Sequence, residues 1–477
     1  MKKWNFFFGV CACVILLAAC GSNDDTVGNG NSEDSNSNDT SSDEQVTLRV
    51  MDWYDSTLEQ RDEFHRKFME KYPHVTIEYT TLTLDQFRDT ILSAVRTGEA
   101  PDIFPVPFGF RLPNLVEDGW YQPLEGLVDE ALFNEFSEGT FVEGITTVDN
   151  DIYTIPQNLP AFSTIVFYNK DLFREAGLDP EQPPTTYEEF RDYAKKITEA
   201  GNGNYYGIIE GGRQTQRWTT TVQDWSSLNG SGLSEASPVS VYTGEAPFHT
   251  EAVLDVFDLF AGIADDGSYH PQTSGISAPE ARQLFANGEA GFIIQGIWNI
   301  GIWNESNSEL NYGVMAPPLS NGERDGWINL VNMPGFGVYS QSEHPEWAAR
   351  YLEEYYGGDY FQQEVVQNNL ELSIVDGINE EYATGEMLEA WQINEEFAAV
   401  GPNPATNPDV LPVFSEYVDV TPNVGEILQA VAITGLRDYE QMLEELSEKT
   451  DQALENAINE AQEKGANVSI DDFRLFE

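Results

Sequence analysis

The sequence predicts an α/β protein with more than one lobe. Strand-like and helix-like segments alternate along most of the chain, which is the pattern of a parallel sheet covered by helices. About 430 residues follow a polar N-terminal region, and this is enough chain for two or more lobes with their own cores.

The first αβ block lies between residues 46 and 106. Its predicted strands and helices are, in chain order, 46–54, 56–72, 74–82, 84–98 and 101–106. Ser56 is placed to cap the first helix, and Gly98 is placed to end the second. Strand, helix, strand, helix and strand at this spacing predict a parallel sheet.

A second αβ block follows the stretch "DIYTIPQNLPAF". Its predicted elements are a strand at 163–170, helices at 171–178, 186–201 and 278–288, and a strand at 290–296. Thr186 and Glu189 have the spacing of a capping box, and Gly201 falls where a terminating glycine belongs. The stretch "NYGVMAPP" (311–318) is interpreted as a crossing segment, and helices are predicted at 345–358, 360–370, 424–435 and 437–465.

The N-terminus has the pattern of an export signal. Two lysines precede an apolar stretch that ends at Ala19, and this stretch is too short to span a bilayer comfortably. The ending "LAACG" resembles a bacterial lipobox, which predicts cleavage after residue 19 and lipidation of Cys20. The other two cysteines, Cys11 and Cys13, would leave with the signal, so no disulfide is expected.

Residues 20–45 are predicted to form a lipidated cysteine followed by a disordered acidic tether. From Gly21 to Gln45 the chain has seven acids, no basic residue and no aromatic residue, so it buries too little apolar surface to order itself. A diacylated cysteine provides two lipid chains, which suffice for stable attachment. We therefore expect a protein anchored on the outer face of the cytoplasmic membrane.

The charge and the motifs exclude several classes of function. A formal charge of −57 argues against nucleic acid and anionic lipid headgroups as partners, and an acidic coat that suits a saline or alkaline habitat is one explanation of it. The five histidines are isolated, so no metal site is predicted. No catalytic signature occurs, and no cofactor is expected.

Several stretches together resemble the bacterial extracellular solute-binding proteins of family 1, the carbohydrate-binding group that includes maltose-binding protein. They are "SAVRTGEAPDIF" (93–104), "DGWYQPLE" (118–125), "YNKDLFREAGL…PPTTYEEF" within 151–198, "LFANGEAGFIIQGIW" (284–298) and "HPEWAARYLEEYY" (344–356). The resemblance covers essentially the whole chain beyond Val46. Tyr187 stands where the family has a tryptophan.

The resemblance implies a two-lobed periplasmic-binding-protein fold of type II, in which discontinuous lobes are joined by hinge segments around a cleft. By this analogy the N-terminal lobe comprises 46–153 and 317–370, and the C-terminal lobe comprises 156–311 and 375–477. The crossings would fall at "YTIPQNL" and "YGVMAPP". The family also implies an ABC permease as partner and a monomeric receptor.

Ligands of open α/β sheets bind beyond the carboxyl ends of strands, so the candidate site residues are those that follow the predicted strands. They combine aromatic rings with acids, amides and guanidinium groups, as sugar recognition requires. The candidates are Asp52, Trp53, Asp55, Phe108, Arg111, Glu210, Arg213, Trp218, Trp298 and Asn299.

Most candidates have a structural alternative. Asp52 is also placed to cap a helix, Trp53 to fill the core, Phe108 to pack between lobes, and Arg111 to form a surface ion pair. For Trp298 the resemblance favours ligand contact, because the family stacks sugar on the matching tryptophan.

Three functions remain open from the sequence. The leading one is a receptor for an oligosaccharide or related glycoside that serves an ABC importer. The others are a receptor of the same fold for a non-sugar ligand, such as a polyamine or an anion, and a surface glycosidase. A glycosidase needs a pair of carboxylates, but in a chain with 81 acids some pair will always be close, so such a pair does not indicate a glycosidase.

Overall fold

Two separate sheets organise the chain. A computed structural model describes residues 45–54, 57–137, 139–331, 334–401 and 403–476. The predicted signal, Cys20, nearly all of the tether, Ser56 and the candidate Asp55 lie outside the described residues.

The strands are β1 (Val46–Asp52), β2 (Val75–Thr81), β3 (Ile103–Pro105), β4 (Tyr121–Gln122), β5 (Thr147–Val148), β6 (Asp151–Ile152), β7 (Ile165–Asn169), β8 (Tyr206–Ile209), β9 (Ala290–Gln295), β10 (Tyr312–Met315), β11 (Ile328–Leu330), β12 (Phe336–Tyr339) and β13 (Ala398–Val400).

The helices up to the second sheet's last strand are α1 (Leu58–Lys71), α2 (Leu84–Thr97), α3 (Leu112–Glu117), α4 (Lys170–Glu175), α5 (Tyr187–Gly201), α6 (Thr215–Leu228), α7 (Glu251–Asp265), α8 (Ala278–Ala286) and α9 (Asn299–Ser306). The later ones are α10 (Pro345–Gly357), α11 (Phe361–Gln367), α12 (Ile378–Tyr382), α13 (Gly385–Phe397), α14 (Leu411–Glu416), α15 (Val424–Thr434) and α16 (Tyr439–Glu463). Short 3₁₀ turns occur at Leu132–Glu135, Thr273–Gly275, Pro404–Thr406, Pro408–Val410 and Ile470–Phe473.

The first lobe is built on a five-stranded sheet with the order β2-β1-β3-β12-β4. The second lobe is built on a four-stranded sheet with the order β10-β7-β9-β8. β1 runs parallel to β2 and β3, and β8 runs parallel to β9, but β12 and β7 are antiparallel to their neighbours. The α/β fold with two lobes is therefore confirmed, whereas the sheets are mixed rather than parallel.

Both faces of the second sheet are covered, which explains its apolar strands. Every residue of β7 and β9 is buried, as expected for strands that lie between two layers of helices. Phe285 and the run 292–294 are at most 1% exposed and belong to the core.

The capping residues predicted for α2 and α5 are confirmed at two helix ends and wrong at a third. Gly98 ends α2 in the left-handed conformation with φ of 73°, as predicted. The Thr186 hydroxyl accepts a hydrogen bond from the Glu189 N–H at the start of α5. Gly201 is still helical, however, and the left-handed cap falls on Asn202, which tolerates that conformation better than most residues.

The chain passes between the two sheets more than once. It leaves the first lobe through 153–164, returns after β10, and passes over again after α11. The stretch "YGVM", predicted to be a crossing, is strand β10 at the edge of the second sheet, and the chain crosses after it. Helices α14, α15 and α16 then complete the second lobe, where α15 packs on α6 and α7.

A buried ion pair lies at the end of β1. The Asp52 carboxylate accepts a hydrogen bond at 2.7 Å from the Arg61 guanidinium of α1, and both side chains are fully buried. Asp52 also accepts hydrogen bonds from the Tyr79 hydroxyl and the Tyr54 N–H. Asp52 is thus a structural residue of the first lobe, which favours its structural alternative; its contact with a ligand stays a prediction.

Removing one partner of this pair should be strongly destabilising. We expect Arg61→Met to lower the free energy of unfolding by about 3–5 kcal/mol, because Asp52 is left as a buried, uncompensated charge. Urea unfolding followed by tryptophan fluorescence measures the change. Arg66→Met is the matched control on the same helix, since Arg66 pairs with Glu63 and Glu70 at the surface and such pairs contribute about 1 kcal/mol or less. Equal losses in the two variants would contradict the assigned role of the pair.

Candidate functional site

Trp298 is held outward at the carboxyl end of β9. The strand ends at Gln295, and after a short turn the Trp298 side chain is 40% exposed. Its indole lies against Gly296: a Cβ at position 296 would be 2.1 Å from Cζ3 of Trp298. Glycine at 296 therefore permits the position of the ring.

The buried side chain of Asn299 stabilises the same turn. Its Nδ2 donates a hydrogen bond to the Gly296 carbonyl at 2.7 Å, and the side chain is fully buried. The amide therefore positions the turn that carries Trp298, which argues for a structural role, and ligand contact by Asn299 stays a prediction.

Glu210 follows β8, the neighbouring parallel strand. It is 6% exposed, and its Oε1 accepts a hydrogen bond from the Ile294 N–H of β9 at 3.0 Å. Burial raises the pKa of Glu210 to about 7, although the Arg217 guanidinium and the Ile294 N–H oppose the shift. A pKa of about 7 means that the Glu210 carboxyl group is partly protonated at neutral pH.

Helix α6 runs along the ends of β9 and β7. The Arg217 Nη2 donates to the Ile294 carbonyl at 2.5 Å, and two turns further along the same face Asp224 accepts a hydrogen bond from the Thr164 hydroxyl at 2.7 Å. Thr164 directly precedes β7. Glu210, Arg217, Asp224 and Trp298 therefore lie along one edge of the second sheet, and we call these four residues the polar rim.

Asp224 is the most perturbed acid of the polar rim. Burial raises its pKa to about 8; the Thr164 hydroxyl lowers it and the carboxylate of Glu235 raises it further. The group is 8% exposed, so a protonated carboxyl lies near the surface of the rim and can donate a hydrogen bond.

The first lobe contributes aromatic side chains at its own strand ends. Trp53, after β1, is partly buried against Tyr54 and Phe87, with ring centroids 4.8 and 4.9 Å away. Phe108, after β3, is 59% exposed. Arg111 lies beyond it and places its guanidinium 4.8 Å from the ring centre of Phe414 in α14. The loop after β3 therefore reaches the second lobe, which brings the two sets of strand ends toward each other.

The last two candidates, Trp218 and Arg213, differ in their exposure to solvent. Trp218 is 3% exposed, donates its indole N–H to the Gly212 carbonyl and packs against Phe260, so it belongs to the core, and its contact with a ligand stays a prediction. Arg213 is exposed and lies 3.8 Å from the Glu280 carboxylate.

Sequence reasoning missed Arg217 and Asp224. On α6 the buried residues Trp218, Val222 and Trp225 form one stripe, and Arg217 and Asp224 lie about 100° away around the helix. The helical period would have separated the two faces once the apolar stripe was assigned to the core. Gln295 was also missed: it is fully buried, and neither polar atom of its side chain has a hydrogen-bond partner in the described part of the chain.

The described residues contain no cluster of His, Cys, Asp and Glu that could hold a metal ion. Within the same residues no helix combines the length and apolarity that a membrane span requires.

Comparison with known proteins agrees with this architecture. The family profile of bacterial extracellular solute-binding proteins matches residues 55–357. A protein of Brucella abortus named as a binding protein is 23% identical over 414 residues, which cover 86% of this chain and 93% of that one. The sn-glycerol-3-phosphate-binding periplasmic protein of Agrobacterium fabrum is 26% identical over 238 residues, which span 48% of this chain and about half (51%) of that protein.

A solved structure shares the fold over nearly the whole chain. The cyclic alpha-maltosyl-1,6-maltose binding protein of Arthrobacter globiformis superposes with a TM-score of 0.59 at 18% identity, covering 88% of this chain and 100% of that one. The fold is therefore that of the type II periplasmic binding proteins. With the matched family profile, this shows that the chain belongs to the bacterial extracellular solute-binding protein family and is a binding protein rather than an enzyme.

Proposed function

We propose that the chain is a receptor that captures a carbohydrate between its two lobes and delivers it to the permease of an ABC importer. The observation that carries this proposal is Trp298, a large ring held outward over Gly296 at the end of a central strand. The C–H face of a sugar ring stacks on such a surface. The solved relative of the same fold, named for a cyclic maltosyl-maltose, supports the ligand class.

The polar rim supplies the hydrogen bonds that stacking lacks. Sugar hydroxyls both donate and accept, so they suit a rim that holds a guanidinium group, Arg217, beside carboxyl groups, Glu210 and Asp224. Phe108 and Trp53 would close on the ligand from the first lobe. Lobe closure around a bound sugar would then distinguish the loaded receptor from the empty one.

The anchoring part of the proposal rests on the sequence. Cleavage after residue 19 and lipidation of Cys20 would attach the receptor to the outer face of the membrane through the acidic tether, as a monomer. The lobe boundaries predicted above (46–153 with 317–370, and 156–311 with 375–477) remain part of this proposal.

Of the other functions, a glycosidase is disfavoured because the chain belongs to a family of binding proteins. A polyamine receptor is disfavoured by the polar rim itself, because a polycation would be repelled by the Arg217 guanidinium and meets carboxyl groups whose pKa values are raised to about 7 and about 8. A thermal-shift screen of sugars against polyamines separates the two ligand classes.

Removing the Trp298 ring should weaken sugar binding. We expect Trp298→Ala to lower the affinity for the best-binding oligosaccharide roughly 10- to 100-fold in isothermal titration calorimetry, because a central aromatic contact is lost. Gly296→Ala should act in the same direction, since its methyl group would displace the ring.

The matched control is Trp327→Ala. Trp327 is 41% exposed, almost the same as Trp298, but it precedes β11 on the return crossing, with the Phe476 ring 6.4 Å away. Its removal should leave affinity unchanged. Unchanged affinity in Trp298→Ala, or equal losses in both variants, would overturn the site assignment.

The buried carboxyls of the polar rim predict a pH dependence of stability. The pKa values of Glu210 and Asp224 are raised in the folded chain from about 4.5 and 3.8 to about 7 and about 8, so the folded state binds more protons than the unfolded state between about pH 4 and 8. Stability should therefore fall as pH rises through this window, by at most roughly 1.4 kcal/mol per pH unit for each titrating group.

Asp224→Asn should flatten this slope between pH 5 and 8 in urea unfolding, since the amide keeps an acceptor for Thr164 and does not titrate. Asp89→Asn, an exposed change on α2, is the control and should retain the wild-type slope. The assignment fails if the two variants have the same slope.

A further inference from the structure

We propose that residues 403–416, which we call the strap, tie the two lobes together at the mouth of the cleft, and that a ligand enters and leaves when the strap releases the first lobe. For the identity of that ligand the inference rests on the proposed function. It is carried by two contacts between the strap and the first lobe, and by the residues that fix the strap to the second lobe.

The C-terminal half of the strap is fixed to the second lobe. Val410 and Val413 are fully buried in the core of that lobe. The Asn407 Nδ2 donates a hydrogen bond to the Asp472 carboxylate at 2.8 Å, and α14 packs on α16. Helix α14, which lies within the strap, is therefore part of the second lobe.

The N-terminal half of the strap lies against the first lobe. Ala405 is 7% exposed, and a Cβ at Gly144 would be 2.8 Å from the Ala405 carbonyl oxygen. Gly144 comes three residues before β5, and β5 packs on α3. The backbone of the strap therefore passes directly over a first-lobe loop that lies beside α3.

The second contact joins Arg111 of the first lobe to Phe414 of the strap. Arg111 directly precedes α3, and its guanidinium carbon is 4.8 Å from the centre of the Phe414 ring. A cation–π interaction reaches to about 6 Å. Arg111 follows the carboxyl end of β3, where ligands of open α/β sheets bind, so this contact lies at the mouth of the proposed cleft.

The chemistry of this contact suits a strap that opens. Although the chain has 81 acids, no carboxylate oxygen among the described residues lies within 4 Å of the Arg111 guanidinium nitrogens. Burial lowers the pKa of Arg111. Opening returns the guanidinium to water and leaves no buried acid without its partner, so it costs less than breaking a buried ion pair.

Hydrogen–deuterium exchange of the full chain in detergent tests the strap without a ligand. We expect Phe414→Leu to speed exchange of amides 108–117 in the first lobe, and Arg111→Gln to speed exchange in the strap. Each increase should be roughly 3- to 30-fold, because each variant removes one half of the contact between the lobes.

Phe414→Tyr keeps the aromatic ring and should exchange as the wild type does. Arg111→Gln decides the question alone if Phe414→Leu does not fold. If each variant changes exchange only in its own lobe, the strap does not join the lobes and the inference is overturned.

Stopped-flow tryptophan fluorescence tests gating, with maltotriose and raffinose as probes. Phe414→Leu should raise the association and dissociation rate constants together, roughly 3- to 30-fold, and leave Kd nearly unchanged, because the same contact opens for entry and for exit. Lys67→Gln is the matched control: the Lys67 Nζ lies 4.6 Å from the centre of the Tyr360 ring, and both residues belong to the first lobe. Its rate constants should equal those of the wild type.

The outcomes separate the two proposals. If a probe binds and Phe414→Leu changes neither rate constant, or only the dissociation rate constant, gating by the strap is overturned while the carbohydrate receptor stands. Binding of neither probe contradicts the proposed function. The exchange experiment then decides on the strap: changes across the lobes support it, and their absence overturns it.

Discussion

The ion pair between Asp52 and Arg61 is the interaction on which the rest of the first lobe depends. It is fully buried, and the rings of Tyr54, Tyr79, Phe336, Tyr355 and Phe361 lie 5.4–5.8 Å from the guanidinium carbon. A buried ion pair adds little net stability compared with apolar packing of the same volume. It does restrict the local geometry, because each buried charge must keep its hydrogen-bond partners. It thus fixes the end of β1, from which Trp53 and Tyr54 lead into the interlobe region.

The same network continues into the segments that join the lobes. The Arg61 guanidinium donates to Oε1 of Gln157 on the first crossing, and Nε2 of Gln157 donates to the Glu371 carboxylate on the third passage at 2.9 and 3.1 Å. The Leu159 N–H donates to the Leu372 carbonyl beside them. The first and third crossing segments are therefore hydrogen-bonded to each other and to the end of β1, which leads to Trp53. A movement of one lobe relative to the other would bend these two segments together rather than independently.

The sequence predicts the parts of this structure that local rules determine. The alternation of apolar and polar residues placed β2, an apolar run placed the core of β9, and a glycine at the helix end placed the end of α2. Tertiary partners decided the rest. Nothing near Asp52 in the sequence shows that Arg61 would enclose its charge, and the antiparallel direction of β7 follows from a crossing rather than from its residues. For the same reason Trp218 was chosen over Arg217: both follow β8, and only packing against Phe260 shows which one is buried.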